Sequence, residues 1–334
     1  MTRQCLVTGG GGFLGQAICR QLLARGERVR SLARGRYPDL QQAGVECLQG
    51  DLTDLESVRS AAQGCDVVYH VAAKAGVWGT AAEFETINVR GTEHVIRACR
   101  EVGTSRLVYT SSPSVVHAGG NQEGIDESAP YPVRFATHYP RTKAAAEQLV
   151  LAAADQTLAT VAIRPHLIWG PGDNHLIPRL IERARQGRLR QVGDGTNRVD
   201  VIYIDNAAEA HLLAADQLQP DNPISGKAYF VSQGEPVKLW NFVNKILACA
   251  NLPPITRRIP RHVAWTVGAL LEGAYTVLGK RAEPPMTRFV AEQLGTSHWY
   301  NISAAQRDFG YVPRVSTEEG LRRLQDWLRS SKIA

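Results

Sequence analysis

The chain lacks every short string that would commit it to thiol, zinc or serine-nucleophile chemistry. It has no Cys-x-x-Cys pair, and its six cysteines (Cys5, Cys19, Cys47, Cys65, Cys99 and Cys249) are scattered. Five of them fall in strand-like or helix-like stretches, so they read as buried, reduced thiols. The nine histidines form no His-Glu-x-x-His or other zinc spacing, and no metal is called for. A Gly-x-Ser-x-Gly elbow is absent, which removes a serine hydrolase. There is no Lys/Arg-rich block: 38 basic against 32 acidic residues give a net charge of only +6, so nucleic acid is not an expected partner. The longest apolar stretch, 263–279, is interrupted by Glu272. It falls short of the roughly 20 apolar residues that span a bilayer. It reads as an amphipathic helix acting as a lid, a docking surface or a peripheral membrane contact. No charged leader or signal-peptide core precedes the first strand, so a cytoplasmic location is expected.

What is present is alternation. With 334 residues and 44% hydrophobic content the chain can bury a large core. Cys5 to Val7, Val29 to Ala33, Val45 to Leu48, Val67 to Val71, Leu107 to Tyr109 and Thr160 to Arg164 read as strands. Helical spacing occupies 13–25, 84–100 and about 140–154. Repeated strand–helix units with short loops predict a Rossmann-type, doubly wound parallel α/β sheet. After Pro165 the pattern loosens, with a loop at Gly170 to Asp173, helices at 177–186 and 205–217, and strand-like runs at 199–204 and 228–231. The expected division is a dinucleotide-binding domain over 1–165, with parts of 199–217 returning to it, and a mostly substrate-binding region over 166–334.

Between the first strand and the first helix lies Thr8-Gly9-Gly10-Gly11-Gly12-Phe13-Leu14-Gly15. Glycines at 9, 12 and 15 let the backbone turn tightly and approach a pyrophosphate, whose charge is stabilised by free N–H groups at the helix start. The second strand ends Ala33-Arg34-Gly35-Arg36, with no carboxylate at its tip. An acid there would favour a ribose diol, whereas Arg pairs bidentately with a 2′-phosphate. NADP(H) is therefore preferred, with NAD(H) compatible.

Tyr139 and Lys143 are four apart, on one face of a helix. Pro140 between them is tolerated only in a first turn, which places Tyr139 at the helix start. A tyrosine of pKa about 10 is a poor acid–base group at neutral pH. A neighbouring ammonium favours the phenolate and lowers that value.

This ordered set resembles the extended short-chain dehydrogenase/reductases. Thr8 to Gly15, including Phe13 and Leu14, is similar to the family's glycine turn, and Asp51-Leu52 to its adenine-contacting pair. His70-Val71-Ala72-Ala73 and Asn88 match further family positions. The resemblance implies Ser112 as the hydroxyl that holds the substrate carbonyl, and Tyr139 and Lys143 as the acid–base pair. It also makes Arg164-Pro165 the start of the segment lining the nicotinamide. Arg164 to Asp173 and Gly226 to Pro236 resemble the 3β-hydroxysteroid dehydrogenase branch. Thr110 to Val115, Ala72 to Gly79 and Glu283 to Phe289 resemble the bacterial 2-alkyl-3-oxoalkanoate reductases of long-chain olefin biosynthesis. That likeness implies NADPH-dependent reduction of a long-chain β-keto acid.

Such a substrate needs an apolar trough and a site for its carboxylate. Trp78, Trp169, Trp240, Trp265 and Tyr275 are candidates to wall the trough. Lys74, His166 and Arg198 are candidates to face the carboxylate, and His117 is a candidate pocket liner. Two other functions stay open: a 3β-hydroxysteroid or sterol dehydrogenase using NAD(P)+, and a non-catalytic dinucleotide sensor. A homodimer is expected, with assembly onto pathway enzymes as a further option.

Overall fold

The computed structural model describes residues 2–331. Seven parallel strands form its centre: β1 (Gln4–Thr8), β2 (Arg28–Ala33), β3 (Glu46–Gln49), β4 (Val67–His70), β5 (Arg106–Thr110), β6 (Ala159–Pro165) and β7 (Lys227–Val231). Their spatial order is 7-6-5-4-1-2-3, with the reversal between β1 and β4. These strands are short apolar runs because both faces of a parallel sheet are covered. Alternate residues feed two cores: Cys5, Val7, Tyr69 and Val108 pack with Leu14, Ile18 and Leu22 of the helix Phe13–Ala24 on one side. Leu6, Val68, Leu107 and Tyr109 pack with Val58, Val95 and Val150 on the other. The helix Ile204–Gln217 packs against the helix Phe13–Ala24, and β7 pairs with β6, so the sheet draws on the second half of the chain. Ligands of such folds sit at the carboxyl ends of the strands, near the reversal.

Two elements differ from the sequence reading. The helical stretch at 84–100 is built from Ala81–Phe84, a wider π-type turn over Glu85–Arg90, and Gly91–Val102. Asn88 in the wide turn accepts from the Lys74 backbone N–H at 2.7 Å and donates to Thr142 Oγ1 at 3.1 Å. The turn thereby clamps the loop after β4 to the helix His138–Ala152. The strand-like run at 199–204 is broken at Asp200, which is buried and accepts from the Tyr300 N–H at 2.8 Å. Arg198–Val199 joins a four-stranded sheet with Val237–Lys238, His298–Tyr300 and Gln122–Ile125, while Ile202–Tyr203 pairs with Ile168–Trp169. That four-stranded sheet forms one wall of the cleft described below.

A buried ion pair joins β6 to the helix His138–Ala152. Arg164 Nε and Nη2 donate to Glu147 at 2.9 and 2.6 Å, Tyr131 adds its hydroxyl at 2.7 Å, and Glu147 is fully buried. Removing one partner of a buried pair leaves an uncompensated charge, at a cost of about 3–5 kcal/mol. Glu147→Ala should therefore lower unfolding free energy by about that much in urea titration. A loss within ~0.5 kcal/mol, as for an ordinary surface substitution, would show the pair to be dispensable.

Candidate active site

The glycine turn is tight for a reason legible atom by atom. A side chain at Gly15 would place Cβ 2.2 Å from the Gly9 carbonyl oxygen, and one at Gly9 would sit 2.8 Å from Ala72 Cα. Gly11 is covered by Tyr37, whose ring would lie 2.0 Å from an added Cβ. The helix that follows, Phe13–Ala24, has Gly12 at its N-cap, no side-chain cap and no acidic residue in its first turn. Its leading N–H groups are left for an anion. This cradle, closed to any Cβ and uncapped at the helix start, fits the pyrophosphate of a dinucleotide.

The turn opens into one cleft of about 990 Å³ that runs along the carboxyl ends of the strands. Gly9, Gly12, Phe13, Leu14, Gly15, Arg34, Asp51, Leu52, Ala72 and Ala73 line it, followed by Lys74, Ser112, His117, Tyr139, Lys143, Pro165 and His166. Trp78 and Arg198 do not. Trp78 Nε1 donates to the Lys280 carbonyl at 3.1 Å and its ring meets Tyr275 edge-on, so it ties a loop to the outer helix Arg261–Val277. Arg198 sits exposed in the four-stranded sheet. Nor do the other aromatic candidates wall the cleft: Trp169 and Trp240 are core residues, and Trp265 is half-exposed on the outer helix. Their bulk is used in packing between the helices and the small sheets. Lining residues that the sequence reading did not single out include Tyr37, Ser114, Gln293 and Tyr300. The signal for Tyr37 was available in the run of four glycines, which exceeds what a pyrophosphate turn requires.

The outer helix keeps Leu270, Val277 and Leu278 exposed and packs against the helix Arg288–Gly295, with Gly268 against Thr287. Phe289 and Gln293 of that second helix reach the cleft; the outer helix does not. No helix among the described residues is long and apolar enough to cross a membrane.

Tyr139 lies in the first turn of His138–Ala152 with Pro140 behind it, as the proline required. Lys143, one turn on, is 2% exposed; its Nζ donates to the Thr110 carbonyl at 2.6 Å and stands 4.1 Å from the Tyr109 ring centroid. Burial pulls this ammonium down to about 7, with Glu147 opposing the shift. Burial also raises the Tyr139 hydroxyl above its ordinary value, offset in part by a hydrogen bond with Ser112. The lowering by Lys143 that the sequence implied does not dominate, because both groups are desolvated together. Ser112 Oγ accepts from the Ser114 N–H at 3.2 Å and the Ser114 hydroxyl at 3.0 Å, so its own proton is directed to the Tyr139 oxygen or to a ligand oxygen beside it.

A lysine held below its unfolded value binds fewer protons when folded. Its burial penalty is full at pH 7 and below, and fades as the pH rises toward the unfolded pKa. Lys143→Met should accordingly gain in melting temperature relative to wild type at pH 6.5, by more than at pH 9.5. A difference that does not change between the two pH values, read by calorimetry, would mean that no buried charge is relieved.

Residues 6–259 match the 3-beta hydroxysteroid dehydrogenase/isomerase family. A protein of Stenotrophomonas maltophilia named 2-alkyl-3-oxoalkanoate reductase is 55% identical over 322 residues, covering 96% of this chain and 98% of its own length. The mouse sterol-4-alpha-carboxylate 3-dehydrogenase (decarboxylating) is 34% identical over 326 residues, covering 96% of this chain and 90% of its own. Among solved structures, MoeE5 in complex with UDP-glucose and NAD superposes with a TM-score of 0.75 at 26% identity, over 98% of this chain and 99% of that one. The glycine cradle and the Ser–Tyr–Lys cleft thus sit in a chain that belongs to the 3-beta hydroxysteroid dehydrogenase/isomerase family, an NAD(P)-dependent oxidoreductase of the extended short-chain type.

Proposed function

We propose that the protein reduces the 3-keto group of a 2-alkyl-3-oxoalkanoate to the 3-hydroxy acid with NADPH, and that Tyr139 is the proton donor. The observation that carries this reading is the convergence of Ser112, Tyr139 and Lys143 on the cleft that begins at the glycine turn. The 55% identity to a reductase named for that substrate supports the choice of substrate.

When bound, the dinucleotide supplies the hydride. The protein's residues do the rest. Ser112 donates its hydroxyl proton to the ketone oxygen and sets its position. Tyr139, kept protonated at neutral pH by burial, has a proton to give as charge develops on that oxygen. Lys143, anchored on Thr110 one turn from Tyr139 and titrating near neutrality, is the group that restores the proton. Gly9, Gly12, Phe13, Leu14 and Gly15 hold the pyrophosphate, Asp51 and Leu52 the adenine end, and Ala72, Ala73 and Pro165 flank the nicotinamide half. Arg34 is exposed at the cleft edge and has no carboxylate partner among the described residues, which leaves it to a 2′-phosphate.

Tyr139→Phe should leave NADPH binding intact and cut turnover of the keto acid by about 10²–10⁴-fold. Wild-type-like turnover would remove Tyr139 as the acid. Arg34→Ala should raise the Kd for NADPH about 10–100-fold, the worth of a charged hydrogen bond, and barely move that for NADH. Equal changes for both, by fluorescence titration, would remove the NADPH preference. In a substrate panel, oxidation of 3β-hydroxysteroids without activity on 2-alkyl-3-oxo acids would replace the substrate assignment.

A further inference from the structure

Beyond Ser112, two imidazoles of the cleft wall, His117 and His166, and the neighbouring His298 ring have proton positions dictated by their neighbours. His298 Nε2 is 2.9 Å from the Gln293 carbonyl oxygen, which can only accept, so Nε2 carries the proton and Nδ1 is bare. His166 Nε2, 2.6 Å from that bare Nδ1, must be the donor. His117 stands apart from this chain. Its Nδ1 is 3.0 Å from Gln122 Oε1, and the Gln122 amide is oriented by its Nε2, which donates to the Val116 carbonyl at 2.8 Å. Nδ1 of His117 therefore carries the proton. Nε2 is buried and has no hydrogen-bond partner among the described residues, although the residue, only 7% exposed, lines the cleft.

An orphaned ring nitrogen in a substrate cleft is costly unless a ligand meets it. Of the other basic groups of the cleft, Lys74, Lys143 and His166 are committed, and His175 is exposed just before the helix Leu176–Arg185. Lys74 Nζ is 3.6 Å from Glu83 Oε2, Lys143 is on Thr110, Arg34 is at the opposite end, and His166 uses its proton on His298. The titratable groups facing His117 are His166, His298 and, across the small sheet, Tyr300. Burial holds both histidines neutral, His298 at about 4, so neither adds positive charge beside it. Ser112 and His117 are the two ends of one short helical turn, Pro113–Val116. A 3-oxo acid has its carboxylate two carbons from its ketone carbon. The mouse relative, named for a 4-carboxylate and a 3-dehydrogenation, also acts beside a carboxylate-bearing carbon.

We propose that His117 is the specificity-determining residue that receives the substrate carboxylate. Its Nε2 takes up a proton from solvent and donates it to a carboxylate oxygen, while Nδ1–H stays on Gln122. The inference rests on the keto-acid reading above and names the group within the cleft that selects for the acid.

The test compares a 2-alkyl-3-hydroxyalkanoic acid with its methyl ester as substrates for NADP+-dependent oxidation by the full chain, a pair that avoids the decarboxylation of β-keto acids. His117→Ala should lower the acid-to-ester ratio of kcat/KM at least tenfold, mainly through KM for the acid. Calorimetry in two buffers of different ionisation enthalpy should show proton uptake on acid binding in wild type and none in the variant. His117→Asn gives the same comparison should the alanine variant fail to fold. An unchanged acid-to-ester ratio in a folded variant, or no proton uptake in wild type, would overturn the role of His117. A wild type inactive on both acid and ester would instead overturn the keto-acid reading.

Discussion

The hydrogen bond from Lys143 to the Thr110 carbonyl is the contact on which the active cleft is hung. Thr110 ends β5, the neighbour of β4, and Lys143 belongs to the helix that presents Tyr139. Fixing that one ammonium fixes the rotation of the helix about its axis, and so the direction of Tyr139 one turn earlier. One turn later, Glu147 is locked to Arg164 of β6. Tyr139, Lys143 and Glu147 thus form a single stripe, seated at two points on adjacent strands of the sheet. Wide-turn Asn88 braces the same helix through Thr142 from the other side. The groups proposed to react are held by rigid elements, the arrangement that keeps catalytic geometry reproducible.

Desolvation sets the chemistry of these groups as much as their positions do. The same burial that raises Tyr139 pulls Lys143 down to about 7, so the phenol stays protonated while the ammonium titrates near neutrality, instead of the two forming a permanent phenolate–ammonium couple. That electrostatic poise suits delivery of a proton to an oxygen that is gaining charge. It also explains why an acid four residues from Lys143 is tolerated in the core: Glu147 is answered by Arg164 and Tyr131 before it can neutralise the lysine.

Much of this was legible in the chain itself. The strands, the glycine turn and the Tyr–Pro–Arg–Thr–Lys helix start announce themselves because their constraints are local: period, φ freedom and the steric rules of proline. The substrate wall was not legible to the same degree. Trp78, Trp169, Trp240 and Trp265 have the right chemistry for a trough, yet side-chain type does not say whether a ring faces a core, an outer helix or a cleft. Arg198 and His117 illustrate the limit. One is a charge on an exposed strand and the other a buried ring with an orphaned nitrogen, a distinction set by contacts far away in sequence: His298 packs on His117 and pairs with Val199, beyond the reach of any local pattern.

The seventh strand, Lys227–Val231, has a consequence for how the molecule can move and be cut. The chain visits the small sheet at 122–125, the central sheet at 159–165, the small sheet again at 198–199, the central sheet at 227–231, and the small sheet once more at 298–300. With the first passage from β5 to 122–125, the two walls of the cleft are therefore laced together by five crossings rather than joined by a single hinge. A fragment ending at Pro165 would bare the whole edge of β6, an unpaired apolar strand that invites aggregation. Lacing of this kind makes the central sheet and the small-sheet wall of the cleft one mechanical unit, and leaves opening of the cleft to its loops and to the helix that carries Phe289.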